Sequence, residues 1–259
     1  AGVSALQTPV DAFFRIDTAL RVPRIDPGDW RLTIDGMVEA PVSVTFAELV
    51  AMPLEEHDIT LSCVSNDVGG DLVGGARWLG VRVADLIRRA GPRPEADMVL
   101  STSVDGFTAG TPLEVMLDGR PALLAVGMNG APLTGPHGSP VRLVTPGVYG
   151  FVGATKWLTR LTVTRFADQQ AYWTTRGWAP RAPVKTASRI DTPRAGQTVA
   201  VGPIDIGGVA WAAHTGITAV DVSVNQSPWR RATLGPDLGV DYWKQWVIRL
   251  PLESGTHEI

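Results

Sequence analysis

Cysteine is almost absent from this chain of 259 residues, in which Cys63 is the single example. One thiol cannot form an internal disulfide, so Cys63 is either a small packing residue or part of the protein's chemistry. The alternating stretch at 59–62 (Ile-Thr-Leu-Ser) predicts a short strand before it, and Gly69-Gly70 predicts a turn after it. The thiol is therefore expected at a strand end, where scaffolds often present functional groups.

Long hydrophobic runs and an excess of one charge are also lacking. No stretch approaches the roughly 20 apolar residues of a membrane-spanning helix. The net charge of -3 gives no general attraction to nucleic acid or anionic lipid. The first residues resemble no signal peptide. The sequence begins at Ala1 rather than at a methionine, so whether a signal peptide or membrane anchor preceded it is an open question. If one was removed, the extracytoplasmic face is the favoured location.

Several common catalytic motifs are missing. None of the four histidines (His57, His137, His214 and His257) has zinc-ligand spacing to another histidine or to Cys63, which argues against a metal site made by the protein alone. The chain also has no dinucleotide fingerprint, no phosphate loop and no nucleophile elbow. These absences exclude the commonest routes to cofactor binding and nucleophilic catalysis.

Short strands and helices alternate irregularly over residues 1–165, which indicates an α+β domain. Thr45 and Glu48 form a capping box that predicts a short helix. Further helices are predicted over 80–91 and 113–117, and strands over 31–38, 98–103, 122–128, 141–144 and 161–164.

The composition changes in the last third of the chain. Residues 166–194 are rich in Pro, Arg, Thr and Trp and are interpreted as a linker over the surface. Residues 195–259 are wholly β in pattern, with strands predicted over 199–201, 204–206, 209–212, 217–224 and 229–232. This spacing is typical of an immunoglobulin-like β-sandwich, which is expected to be incomplete at its C-terminus.

A second informative segment spans residues 128–158. It places three cationic side chains, His137, Arg142 and Lys156, among glycines and prolines that allow close backbone approach. Such an arrangement suits a phosphate and a polar heterocycle. The segment alone fits a turn-rich loop with three solvated charges equally well.

Taken together, these segments resemble the sulfite oxidase family of molybdopterin enzymes. The resemblance covers nearly the whole chain, in the family's order. Its motifs are Cys-Val-Ser-Asn at 63–66 with Gly69-Gly70, Arg-Trp-Leu-Gly-Val at 77–81, Asp-Gly-Phe at 105–107, Met-Asn-Gly at 128–130, His137-Gly-x-Pro-x-Arg142, and Lys156-Trp157. The implied fold is a sulfite oxidase-type molybdopterin-binding domain followed by an immunoglobulin-like dimerisation domain.

The resemblance implies a molybdenum-molybdopterin cofactor whose metal is held by the Cys63 thiolate, a soft ligand that suits this metal. It further implies that Asn66, His137, Arg142 and Lys156 bind the cofactor. Arg15 falls near the family's N-terminal arginine, although the family's Arg-Asn-His is Arg-Ile-Asp at 15–17.

Two departures bear on the substrate. Asp67 stands where sulfite oxidases usually carry an arginine, and Trp178 stands where a tyrosine beside the metal is expected. A carboxylate there would weaken a pocket for a dianion, unless Arg176 compensates.

The reaction implied is oxo transfer to or from a small substrate, with sulfite-type oxidation as the default. The altered pocket leaves reduction of a sulfoxide or N-oxide as an alternative. A third, non-catalytic alternative is a binding module with an empty pterin cleft. No haem domain is recognised in the sequence, so electrons are expected to leave through a separate cytochrome or quinone-linked partner, and a homodimer is possible.

Overall fold

The computed structural model describes residues 2–259, in which short strands far outnumber helices. The strands are β1 (Arg31–Gly36), β2 (Val42–Thr45), β3 (Glu55–Ser62), β4 (Val73–Arg82), β5 (Met98–Ser103), β6 (Thr108–Pro112), β7 (Leu123–Met128), β8 (Ala131–Pro132), β9 (Arg142–Val144), β10 (Leu158–Thr164), β11 (Ala187–Thr192), β12 (Gly202–Trp211), β13 (Asp221–Val222), β14 (Arg230–Arg231), β15 (Thr233–Leu234) and β16 (Lys244–Leu252). The helices are α1 (Phe46–Val50), α2 (Val83–Ala90), α3 (Leu113–Leu117) and α4 (Gly150–Gly153), with single 3-10 turns at Gly135–His137 and Thr174–Arg176.

The first sheet has the strand order β2-β1-β10-β5-β6, with β1 parallel to β10 and the other pairs antiparallel. Its buried side chains, such as Leu32, Ile34 and Leu161, pack with the apolar face of α2 in one core. The capping box predicted before α1 is present, because Thr45 accepts from the backbone of Glu48 and the Glu48 carboxylate accepts from the backbone of Thr45.

Helix α2 starts three residues later than the sequence predicts. Residues 80–82 continue strand β4 and pair with 123–125 of β7, so sheet pairing overrides the apparent helical period there. The helix ends as predicted, since Gly91 adopts a left-handed φ of 68° and its N–H bonds back to the Arg88 carbonyl.

The second sheet has the order β3-β4-β7-β8, with β9 also paired to β7. Its core contains Ile59, Leu61 and Trp78, all nearly inaccessible to water. This sheet positions the candidate site, because Cys63 follows β3 directly and Arg142 begins β9.

The C-terminal region is all β, with a four-stranded sheet β11-β12-β16-β15 and a separate pair β13-β14. The predicted strands over 204–206 and 209–212 are one strand, β12, because Gly207 and Gly208 pair with Val247 and Trp246 of β16 without a break. Only Asp221–Val222 of the predicted strand 217–224 is extended and paired. Strand β11 lies inside the segment interpreted as a linker. The immunoglobulin-like topology stays a prediction.

The C-terminal region is tied to the second sheet close to the candidate site. The Trp243 backbone N–H donates to the Thr60 hydroxyl, and the Thr60 N–H donates to the carbonyl of Asp241. The Trp243 indole and the Tyr242 hydroxyl both donate to the Leu6 carbonyl. Among residues 2–259, no helix has the length and apolarity needed to cross a bilayer.

Candidate active site

The Cys63 thiol stands at the predicted place, immediately after strand β3. The Cys63 N–H donates to the Leu72 carbonyl, and the Asn66 side-chain oxygen accepts from the Leu72 N–H at 2.8 Å. These bonds close the loop over residues 63–72 and leave the thiol half-buried. We call the space that the thiol faces the Cys63 cavity; it measures about 210 Å³ and is also lined by Arg142, Lys156 and Trp178.

Arg142 reaches this cavity from strand β9 and is almost fully buried. Two of its nitrogens donate to the carbonyls of His137 and Ala154, and its guanidinium lies 5.0 Å from the centre of the Trp78 ring. Burial lowers the pKa of Arg142 to about 10, which still leaves it charged at neutral pH. Its Nε has no hydrogen-bond partner within the described chain.

Lys156 enters the cavity from the segment between α4 and β10. Its ammonium donates to Asp17 at 2.7 Å and to the Pro136 carbonyl at 3.3 Å. Burial lowers the pKa of Lys156 to about 8, although the hydrogen bond with Asp17 acts in the opposite direction.

The lining of the cavity includes an aromatic wall, defined here as Phe151, Trp173 and Trp178. The two indoles stack with centroids 4.4 Å apart, and Phe151 meets Trp178 edge-on at 4.9 Å. The 3-10 turn at Thr174–Arg176 brings the two indoles together. Trp178 is thus in the cavity, at the position where the resemblance led us to expect a tyrosine.

Three of the predicted site residues do not line the cavity. His137 is buried beside it, where its Nε2 donates to the Val10 carbonyl and its own carbonyl accepts from Arg142. Asn66 holds the Cys63 loop, as described above. Arg15 is exposed and reaches the cavity only through Asp17, to which its Nε donates at 2.8 Å. Direct cofactor contacts by His137 and Asn66, and a catalytic role of Arg15, stay predictions.

The two charged residues that the sequence placed at the substrate pocket, Asp67 and Arg176, need correction. Asp67 is exposed and does not line the cavity, because it lies on the outer turn of the 63–72 loop. Arg176 is also exposed, with its guanidinium 3.6 Å from the centre of the Tyr172 ring, and it does not line the cavity either. The carboxylates that do line it are Asp17 and Asp105.

Asp17 and Ser103 are two of the residues at this site that sequence reasoning missed. Asp17 was noted only as the place of an absent histidine, and Ser103 only as the end of a strand. The Ser103 hydroxyl is buried in the cavity wall and has no partner among residues 2–259. A polar residue at the end of an apolar strand was the available signal for Ser103, whereas Asp17 had none.

The residues present fit a pterin-bound metal. The cavity offers one thiol, two buried cations and two buried polar atoms without partners, Arg142 Nε and Ser103 Oγ. Across the described residues, no three His, Cys, Asp or Glu side chains cluster as a metal site. Cys63 therefore needs ligands from a bound group, and a dithiolene matches its soft sulfur.

Comparison with known proteins points to the same chemistry. Residues 19–173 match the family described as the oxidoreductase molybdopterin binding domain. Human mitochondrial sulfite oxidase is 30% identical over 300 residues, covering 97% of this chain and 54% of the human protein. An uncharacterized oxidoreductase of Bacillus subtilis, YuiH, is 33% identical over 156 residues, covering 60% of this chain and 75% of that protein.

A solved structure shares the fold. The sulfane dehydrogenase SoxCD from Paracoccus pantotrophus superposes with a TM-score of 0.77 and 24% identity, covering 89% of this chain and 65% of that chain. The present chain spans about half the length of the sulfite oxidases that it matches. The family model matches more than half of the chain, and Cys63 lies beside two buried cations. The chain therefore belongs to the sulfite oxidase family of molybdopterin oxidoreductases.

Proposed function

We propose that this chain is a molybdopterin-dependent oxidoreductase that moves an oxo group to or from a small substrate in the Cys63 cavity. One observation carries the proposal: a half-buried thiol, Arg142 and Lys156 share a cavity that also contains unpartnered buried polar atoms. Buried polar atoms without partners are uncommon in folded proteins and suit a polar ligand.

Different side chains would bind different parts of the cofactor. Cys63 would supply the thiolate ligand, while Arg142 and Lys156 would bind the anionic and polar parts of the pterin. When bound, the cofactor supplies a two-electron redox centre. The carbonyls of His137 and Ala154 fix the Arg142 guanidinium in advance, so little side-chain entropy is lost on binding.

In this proposal the aromatic wall excludes water and contacts the substrate. Phe151, Trp173 and Trp178 keep water away from the thiol side of the cavity and give the substrate an apolar surface. A dry site strengthens the electrostatic effect of Arg142 and Lys156 on any charge that develops there.

Sulfite-type oxidation is the default reaction because the relatives named above include sulfite oxidases. Electrons released by such an oxidation would pass to a separate cytochrome or quinone-linked partner, and a homodimer is compatible with the proposal. Reduction of a sulfoxide or N-oxide is the second candidate. The aromatic wall and the carboxylates of Asp17 and Asp105 favour it, because they suit an uncharged substrate with an apolar substituent.

The test uses protein from a host that makes molybdopterin. We expect about one molybdenum per chain, as the family implies, and turnover of either sulfite or a methyl sulfoxide with an artificial redox dye. Cys63→Ser is expected to abolish turnover with the fold intact, since a serine hydroxyl stays protonated near neutral pH and is a poor soft-metal ligand. Ser62→Ala, one position earlier, should keep most of it.

Full turnover by Cys63→Ser would refute the role of the thiolate. Wild-type protein that carries no metal and turns over no substrate would instead favour the non-catalytic binding module.

A further inference from the structure

A carboxylate occupies the part of the Cys63 cavity where the cations converge. Asp17 accepts from Lys156 Nζ at 2.7 Å and from Arg15 Nε at 2.8 Å on the same oxygen, Oδ2. The side chains of Asp17 and Lys156 are each only 9% exposed. The pair is therefore an internal ion pair within the cavity wall.

The pair leaves little positive charge free for an entering anion. Asp17 neutralises Lys156, and Arg142, which keeps its charge and an unpartnered Nε beside its two backbone carbonyls, is the cation assigned to the bound cofactor. Asp105 adds a second carboxylate to the lining. An entering dianion would meet the Asp17 carboxylate, which water screens poorly, and the exposed Asp105 carboxylate, which water screens better.

We propose that Asp17 is a specificity-determining residue, which turns the cavity against doubly negative oxyanions and in favour of uncharged oxo compounds. This inference rests on the proposed function, in that a small oxo substrate must enter the Cys63 cavity. It selects the second candidate reaction class, with an organic sulfoxide or an N-oxide as substrate.

Asp17 carries its charge under ordinary conditions. Burial alone would raise the pKa of Asp17, but the hydrogen bonds from Arg15 and Lys156 outweigh burial and hold the pKa below its ordinary value. Arg15 contributes a second positive charge at the same carboxylate oxygen, but it does not line the cavity and its side chain is 40% exposed, so water screens its charge.

The effect of the Asp17 charge can be tested without turnover by measuring sulfate binding to the molybdenum-loaded protein. Asp17→Asn keeps the shape of the side chain and one accepting oxygen but removes its charge, and Asp17→Ser is a second variant should asparagine disturb folding. We expect either variant to bind sulfate at least about tenfold more tightly than wild type by calorimetry. The matched control is Asp191→Asn, because Asp191 is 8% exposed and paired to Arg189 at 2.7 Å outside this cavity.

The activity measurement separates this inference from the proposed function. Asp17→Asn should raise the ratio of kcat/KM for sulfite to kcat/KM for a methyl sulfoxide about tenfold, mainly through a lower KM for sulfite. Equal sulfate affinity in wild type and both Asp17 variants, or an equal gain in Asp191→Asn, would overturn the inference. If the variants bind sulfate more tightly and yet no protein turns over any oxo compound, the electrostatic role of Asp17 stands and the proposed reaction fails.

Discussion

The ammonium of Lys156 is expected to lose its proton well below the pH at which lysine usually does. Burial lowers its pKa to about 8 from an ordinary 10.5, even though Asp17 pulls in the opposite direction. A difference of this size corresponds to about 3 kcal/mol between the two protonation states.

The direction of the stability effect follows from proton counting. Below pH 8 both the folded and the unfolded chain hold the Lys156 proton, so the folded protein bears the full burial penalty. Between pH 8 and 10.5 the unfolded chain binds more protons, and the contribution of Lys156 to the free energy of unfolding rises with pH. Above that range the penalty is gone.

The sequence makes this measurement practical, since the chain has only three lysines, Lys156, Lys185 and Lys244. Cofactor-free protein is treated with traces of an amine acylating reagent across pH 6 to 11, and each lysine peptide is quantified by mass spectrometry. Exposed Lys185 serves as the internal reference for reagent reactivity. We expect the labelling of Lys156 to reach half its maximal rate near pH 8.

The Asp17→Asn variant tests whether the ion pair with Asp17 contributes to the pKa of Lys156. It removes the charge that raises the pKa of Lys156 and weakens the hydrogen bond, so the labelling midpoint should move further down. A midpoint near the ordinary value in wild type, or no movement in the variant, would refute the reasoning about burial and the ion pair.

Two further predictions concern cofactor retention and packing. Arg142→Glu should lower the molybdenum content after dialysis far more than Arg82→Glu, since charge-assisted contacts are worth about 1.5–3 kcal/mol each and Arg82 lies outside the cavity; equal losses would contradict the site. Gly75→Ala should lower the free energy of unfolding by about 1–3 kcal/mol, because an added Cβ would lie 2.6 Å from Trp243 Nε1. In Gly150→Ala the nearest atom would be 3.7 Å away, so denaturant unfolding should show little change there.

Local signals in the sequence predicted the elements that depend on local chemistry. The capping box of Thr45 and Glu48 placed the start of α1, and Gly91 placed the end of α2, because both act through the backbone within one turn. The start of α2 was misplaced because residues 80–82 pair with a strand some 40 positions later, which no local pattern records. Pairing across such distances also fused two predicted strands into β12.

The residues assigned to the candidate site from their motifs also fall into two groups. Cys63, Arg142, Lys156 and Trp178 could be chosen by resemblance because they stand in recognisable motifs, and they share one cavity. His137, Asn66 and Arg15 stand in such motifs as well, yet they contact the backbone or Asp17 beside the cavity. A motif fixes the position of a residue in the chain but not the direction of its side chain.

The sequence pointed to Asp67 as the carboxylate that would act against a dianion, whereas the carboxylate that lines the cavity near Lys156 is Asp17. Asp67 drew attention because it stands where sulfite oxidases usually carry an arginine, but the closed loop turns it to solvent. Asp17 lies 139 positions from Lys156 in the chain and is joined to it by a 2.7 Å ion pair inside the cavity. That the cavity disfavours dianions stays a prediction, with Asp17 in place of Asp67 as its proposed cause, and the Asp17→Asn variant, rather than any change at Asp67, is the one that tests it.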